Sequence, residues 1–272
     1  MITSENQVFL KKARVLISEI LRNRHFFSAR RGYGGSCSDI RGPGVESFAG
    51  RVYVIHSPER ENHMDREPLW NCLSRAVEFR KSFLAEPHES AFRLVNGFTE
   101  HLPGLVIDIF AKTAVLHDYS ADGEFEREPE PLKTFLLENL PWIKAIVLKK
   151  RSSDSIEEKN GVLIHGVKPD TRIREHGIAY AIDLQMNRDN SFYADTRLLR
   201  KWLIENMAGR SVLNTFAYTG SLGVAALGGH ASEVIQTDLS EKFLALAGRS
   251  CSMNAFHYTG KNFIVGNFFP VV

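Results

Sequence analysis

Three cysteines in 272 residues, Cys37, Cys72 and Cys251, are too few, too scattered and too odd in number for a disulfide framework, and none has the CxxC partner of a structural zinc site. Such usage fits a reducing compartment. No apolar run reaches the length of a membrane span and no signal-peptide core is legible, so no membrane partner is expected and the cytoplasm is the expected location. Charge of one sign is also missing. Lys+Arg total 34 against 32 Asp+Glu, a net +2, so the whole chain does not announce a nucleic-acid partner. Repeats and low-complexity tracts are absent. With 43% hydrophobic and 24% charged residues, the composition is that of one large or two small globular domains.

The positive charge that exists is local. Residues 1–35 hold Lys11, Lys12, Arg14, Arg22, Arg24, Arg30 and Arg31 against Glu5 and Glu19, and Phe9, Ala13, Leu16 and Ile20 recur at helical spacing. This opening reads as a surface helix, as a transit peptide that would place the chain in a mitochondrion or plastid, or as an arm attracting RNA phosphate. Residues 31–50 read as loop, Arg51–Ile55 as a short strand and Ser57–Pro68 as a linker. Residues 1–65 are therefore set apart as a basic N-terminal extension.

Leu69–Leu84 has helical periodicity and stops before Pro87. Strands are expected at Phe92–Gly97, ending in a turn signal, and at Leu105–Phe110, Thr113–His117, Lys144–Leu148, Gly161–His165 and Ile178–Asp183. A helix is expected at Pro131–Leu140 and a charged loop up to Asn160. Residues 66–188 thus form an α+β module. From Asp195 onward, strands at Ser211–Asn214, Glu233–Asp238 and Phe263–Val265 alternate with helices at Thr196–Met207, Ser221–Leu227 and Ser240–Asn254. That alternation belongs to a doubly wound parallel sheet. The expected fold class is α/β: an α+β central module followed by a partial Rossmann-like sheet over 189–272.

In such a sheet the first strand-to-helix turn is where a nucleotide-like ligand binds. Here it runs Asn214-Thr215-Phe216-Ala217-Tyr218-Thr219-Gly220 and on to Gly223. Phe216 and Tyr218 stand where a pyrophosphate cradle needs glycine, which argues against a dinucleotide oxidoreductase and for a ligand without phosphates. Asp238 ends the second strand and can accept from two ribose hydroxyls. Ser240 can cap the next helix, with Glu241 in its first turn. After the third strand, Asn267 can meet an adenine amino group, with Phe268 beside the ring. Ribose and adenine without phosphate point to S-adenosylmethionine. Singly, a turn glycine, a cap and a loop residue are ordinary; in order on three consecutive strand ends they suggest a site.

The same residues carry a resemblance. Asn214 to Gly220 resembles the N-x-F-x-Y-T-G form of methyltransferase motif I, which marks the bacterial large-subunit rRNA cytosine-C5 methyltransferase family. Phe192 to Arg200 resembles its G-(F/Y)-(F/Y)-L-D-x-R-x-x-R segment, with Ser191 and Ala194 replacing glycine and leucine. Glu175-His176-Gly177, Arg93 to Gly97 and Leu102 to Asp108 resemble earlier family elements. The resemblance implies a class I S-adenosylmethionine-dependent transfer of methyl to a base in ribosomal RNA. It implies Asp195 and Arg197 over the methionine end of the cofactor, with Phe192 packing nearby. Asn214, Phe216, Tyr218, Thr219 and Gly220 would line its amino-acid and ribose portion. Asp238 would hold the ribose, and Asn267 the adenine, where the family usually has Asp. No metal ligand or catalytic residue is assigned. By residue type alone, Arg197 and Arg200 read as surface charge, Phe192 and Tyr193 as core, and Glu175 as a solvated turn.

Two departures bear on function. Residues 1–65 do not resemble the small PUA-type RNA-binding domain with which the family commonly opens. The family's acidic-Pro-Pro strand end and late cysteine also have no counterpart here, and cytosine C5 reacts only after a thiolate adds at C6. Cys251 reads as a small buried hydrophobe. A methyltransferase sheet ordered 3-2-1-4-5 is expected to be cut after its third strand, leaving an apolar edge and a chain unstable or inactive alone. Two functions follow as expectations: an RNA base methyltransferase or its N-terminal part, or a truncated or degenerate relative that binds cofactor or RNA without transfer. A homodimer is a further partner to look for.

Overall fold

The computed structural model describes residues 69–85, 87–120, 123–151 and 153–267. The basic N-terminal helix, the strand at 51–55, the linker and Phe268 lie outside them. The first described element is α1 (Leu69–Phe79), which buries Cys72, Leu73 and Ala76 on one face. The helix expected to run to Leu84 is interrupted at Arg80, whose guanidinium reaches the Arg93 carbonyl (3.0 Å) and Glu100 (2.7 Å); a short α2 (Lys81–Leu84) follows.

Five strands then build a mixed sheet in the order β1 (Ala91–Val95), β2 (Leu105–Phe110), β3 (Thr113–Asp118), β4 (Ala145–Lys150), β5 (Val162–His165). Only β3 and β4 pair in parallel, because α3 (Glu124–Arg127) and α4 (Glu130–Asn139) carry the chain back between them. One face is hydrocarbon: Leu94, Ile107, Ile109, Leu116, Ile146 and Leu148 pack on α1 and on Leu132, Phe135 and Leu136 of α4. The opposite face is divided. Ala91, Phe110, Val115 and Val147 join an apolar core with Tyr180, Ile182, Phe192, Val224 and Cys251. The same face carries buried Asp108, His117 and Lys149 as well as half-exposed Arg93, which the period-2 alternation of strand side chains places there.

Two elements depart from expectation. The charged loop before Asn160 contains α5 (Ile156–Asn160): Ser155 accepts a hydrogen bond from Glu158 N at 3.3 Å, an N-cap with acidic residues in the first turn. Before the strand expected at Ile178–Asp183 there is a partner, β6 (Arg172–Glu175), pairing antiparallel with β7 (Ile178–Ala181). Its alternation was masked by charge, since Arg172 and Arg174 are exposed while Ile173 and Glu175 are buried.

The second half follows the expected winding. Strands β8 (Ser211–Asn214), β9 (Glu233–Asp238) and β10 (Phe263–Val265) are parallel and ordered β10-β9-β8, the 3-2-1 arrangement. Helices α6 (Arg197–Asn206), α7 (Ser221–Gly228) and α8 (Glu241–Met253) connect and cover them. Helix α8 also completes the hairpin: Ser250 Oγ and Asn254 Oδ1 accept from Ala181 N and Ala179 N, each at 2.9 Å, so β7 is closed by side chains instead of another strand.

The two halves meet at a fully buried ion pair that corrects the surface reading of Arg200 and the solvated reading of Glu175. Arg200 of α6 and Glu175 of β6 have no exposed side-chain surface, and they bond through two contacts of 2.6 and 3.1 Å. The guanidinium lies 4.1 Å from the Phe192 ring centroid and donates to the Tyr193 carbonyl at 2.8 Å. The buried charge is met by four hydrogen bonds, two to Glu175 and one each to the Tyr193 carbonyl and the Thr196 hydroxyl. Glu175→Ala should lower the free energy of unfolding by about 3–5 kcal/mol in urea titration, since it strands a buried guanidinium. Lys201→Ala, on the exposed side of α6, should stay within about 0.5 kcal/mol of wild type.

Candidate functional site

The site grows from the C-terminal ends of β8, β9 and β10. Between β8 and α7 the backbone takes left-handed φ at every second residue: Phe216 (54°), Tyr218 (52°) and Gly220 (73°). For Phe and Tyr this costs energy, on the order of 1–2 kcal/mol each, and such strain persists only where surroundings enforce it. The enforcing contacts come from β9. Ala217 N donates to the Thr237 carbonyl and Tyr218 N to Asp238 Oδ2, both at 2.8 Å. Thr219 Oγ1 donates to the Ser191 carbonyl at 2.6 Å, tying the turn to the segment before α6. The Tyr218 hydroxyl meets the Asn187 side chain at 3.0 Å, and its ring lies 5.1 Å from Tyr193 and 4.6 Å from Phe243. Burial pushes the Tyr218 hydroxyl well above its usual range, so it stays neutral.

Asp238 is the hub. Its Oδ1 accepts from Ser240 N at 2.9 Å while Oδ2 takes Tyr218 N, and its own carbonyl accepts from Gly266 N at 2.9 Å. The Ser240 side chain makes no cap bond to α8, contrary to expectation; its backbone N–H is turned to Asp238 instead. A carboxylate has about four acceptor positions, so each oxygen keeps one for a hydroxyl donor. Around it stand large apolar side chains with their surfaces in water: Leu239 is 75% exposed, Phe216 68% and Val265 53%. A half-buried carboxylate with two acceptor positions, bordered by exposed hydrocarbon, suits a sugar diol attached to a flat apolar ring.

The candidate residues do not all converge. Asn214, Phe216, Tyr218, Thr219, Gly220 and Asp238 form one connected turn, and Asn267, exposed, follows the glycine bonded to Asp238. Phe192 is buried against Arg200 and Tyr180, so its contacts here are those of the core reading. Tyr193 is half-exposed. Asp195 is exposed in the single helical turn Ala194–Thr196 before α6. Arg197 places its guanidinium 5.5 Å from the Phe83 ring, a contact with α2. Cys251 is fully buried, and burial pushes its thiol up to about 12, as fits the buried-hydrophobe reading. Among the described residues no group of three or more metal-ligating side chains occurs. A cavity of about 430 Å³ opens beside Glu233, Val234, Tyr258 and Phe263, at the N-terminal ends of β9 and β10, and reaches Gln236.

One residue of the site escaped sequence reasoning. Gln236 lies buried in the middle of β9, where its amide accepts from Asn214 Nδ2 at 3.1 Å. An amide among apolar strand neighbours was the available signal. Gln236 also explains Gly220, where a Cβ would lie 2.6 Å from Gln236 Oε1 and 2.4 Å from Ala247 Cβ. Gly220→Ala should therefore destabilise the chain by about 1–3 kcal/mol, read by urea unfolding. Gly260→Ala, where a Cβ meets nothing within 4 Å, should be close to neutral.

Residues 146–270 match the family model described as S-adenosylmethionine-dependent methyltransferase. The chain is similar to ribosomal RNA large subunit methyltransferase I of Aeromonas salmonicida, 30% identical over 258 residues, covering 93% of this chain and 62% of the relative. The protein of the same name from Yersinia pseudotuberculosis is 31% identical over 207 residues, covering 74% and 51%. The chain thus spans about half to three-fifths of the length of these relatives. A solved structure described as "a putative SAM-dependent methyltransferase from Streptococcus mutans" superposes with a TM-score of 0.65 at 23% identity, covering 74% of this chain and 52% of that one. A second, of a putative methyltransferase complexed with SAH, gives a TM-score of 0.66 with the same coverage. These likenesses establish the fold: mixed α/β, of the class I methyltransferase type.

Proposed function

We propose that this chain carries the cofactor half of an S-adenosylmethionine-dependent methyltransferase acting on large-subunit ribosomal RNA. The observation that carries the reading is Asp238. It closes the second strand of a 3-2-1 parallel sheet, is fixed by two backbone N–H groups, and keeps an acceptor position on each oxygen. The ribose diol of the cofactor would donate to those positions. Leu239, Phe216 and Val265 would border the adenine, and Asn267 would accept from its amino group. The turn 214–220 would take the amino-acid end, with Asp195 and Arg197 beyond it. When bound, the cofactor supplies a methyl group on a sulfonium, open to attack by a nucleophilic base carbon. RNA as substrate is supported by the relatives' names, and cytosine C5 by the resemblance of the 214–220 turn.

Binding without transfer is the second reading, and the cysteines favour it. Cytosine C5 methylation needs a thiolate, and the cysteines among the described residues, Cys72 and Cys251, are both buried. Labelled methyl incorporated into ribosomal RNA by the chain alone would reject that second reading; cofactor binding without incorporation would support it.

The cofactor site itself is tested by calorimetry with S-adenosylhomocysteine. Asp238→Ala should weaken binding about tenfold to a hundredfold, the loss of hydrogen bonds to a charged acceptor. Unchanged affinity would remove Asp238 from the site.

A further inference from the structure

We propose that Lys149, a residue of the five-stranded sheet, is a positioning residue for the 214–220 turn and acts on it through the connection 187–190. Lys149 lies in β4 and is wholly excluded from solvent. Its ammonium donates to the carbonyls of Asn187 and Asp189, each at 2.7 Å. Asn187, so held, donates through its side chain to the Tyr218 hydroxyl at 3.0 Å, and Tyr218 N is bonded to Asp238 at 2.8 Å. Residues 187–190 and 215–220 belong to no strand, so no ladder of backbone bonds fixes them. Asn190 anchors the same connection, donating to Asp108 Oδ2 and meeting His117 Nε2, both at 2.9 Å. Packing alone does not call for an ammonium at this place. Val147, two residues earlier on the same face, fills its position with hydrocarbon.

The surroundings of Lys149 set the direction of a pH effect. Facing it are Arg151 just past the end of its strand, His117 on β3, Asp183 after β7 and Asp189 from the connection, with Gly161 beside its methylenes. Burial first, and then Arg151, bring the ammonium down to about 7 against the pull of Asp189 and Asp183. His117 is held well below its usual range by burial and by Arg151, so it stays neutral above pH 7. If the connection opens and water reaches Lys149, its pKa returns towards about 10.4. The open form then binds the proton more tightly than the closed one, so opening becomes harder as pH rises from about 7.

The test is hydrogen exchange on the full chain, wild type against Lys149→Met, at about pH 6.5 and 8.5 with intrinsic rates divided out. Lys149→Met keeps the length and removes the donors. Exchange over 186–192 and 214–220 should rise about tenfold, as for a lost buried hydrogen bond. Peptides of β2 and β3 should stay protected, because the two carbonyls that Lys149→Met leaves without their donor lie in the 187–190 connection and not in the sheet. In wild type the exchange of both segments should slow at the higher pH; in Lys149→Met it should not. Unchanged exchange over 214–220, or a rise shared equally by β2 and β3, would overturn the proposal. The consequence for the cofactor rests on the function proposed above: affinity for S-adenosylhomocysteine should fall about fivefold to tenfold in Lys149→Met. A wild type without affinity for S-adenosylhomocysteine would count against the cofactor reading, and the exchange data would still decide the part played by Lys149.

Discussion

A carboxylate and a guanidinium with no access to water, Glu175 and Arg200, hold the parts of this chain in register. Glu175 comes from a two-stranded hairpin, Arg200 from the first turns of α6, and the guanidinium also grips the Tyr193 carbonyl and covers the Phe192 ring. Taking both charges out of water is costly, and only near-complete hydrogen bonding offsets that cost. The arrangement therefore tolerates little displacement. Segment 192–196, which leads into α6, is fixed relative to the hairpin, and the hairpin is fixed to α8 by Ser250 and Asn254. The candidate site is built on elements that this pair keeps in place.

From there the constraint passes outward through short polar contacts. Ser191 holds Thr219, Asn187 holds Tyr218, and Asp238 holds the backbone of Tyr218 and Ser240. The turn between β8 and α7 keeps two aromatic residues at left-handed φ because these contacts surround it. Preorganisation of this kind lowers the ordering cost of binding a small ligand. It also accounts for the absence of a glycine-rich cradle: the turn is held by side chains and by Gly220 alone, with Gln236 packed beneath it.

Much of this was legible in the residues. The six strands read as apolar runs between Phe92 and Asp183 all exist within a residue or two of their expected limits, and the parallel winding of the second half followed from strands alternating with helices. The 214–220 turn and Asp238 were found from their place on consecutive strand ends, and the structure joins them. The misses have a common cause, which is charge read as exposure. Glu175 and Arg200 read by residue type as surface groups and are buried, the arginines of Arg172–Glu175 hide its strand pattern, and β4 runs on through Lys149 and Lys150 past the limit expected at Leu148. A residue's type states the cost of burying it; only its partners, distant in sequence, decide whether that cost is met. Phe192 and Arg197 show the limit from the other side: a motif placed them in one segment, and the contacts seen here turn them towards Arg200 and Phe83.

The central claim is that the C-terminal ends of β8, β9 and β10 hold an adenosyl ligand. A crystal structure of the full chain grown with S-adenosylhomocysteine tests it most directly. The account predicts the ribose hydroxyls on the two oxygens of Asp238, with the adenine between Leu239 and Asn267. Ligand found in the cavity beside Glu233 and Tyr258, or no ligand at saturating concentration, would contradict it.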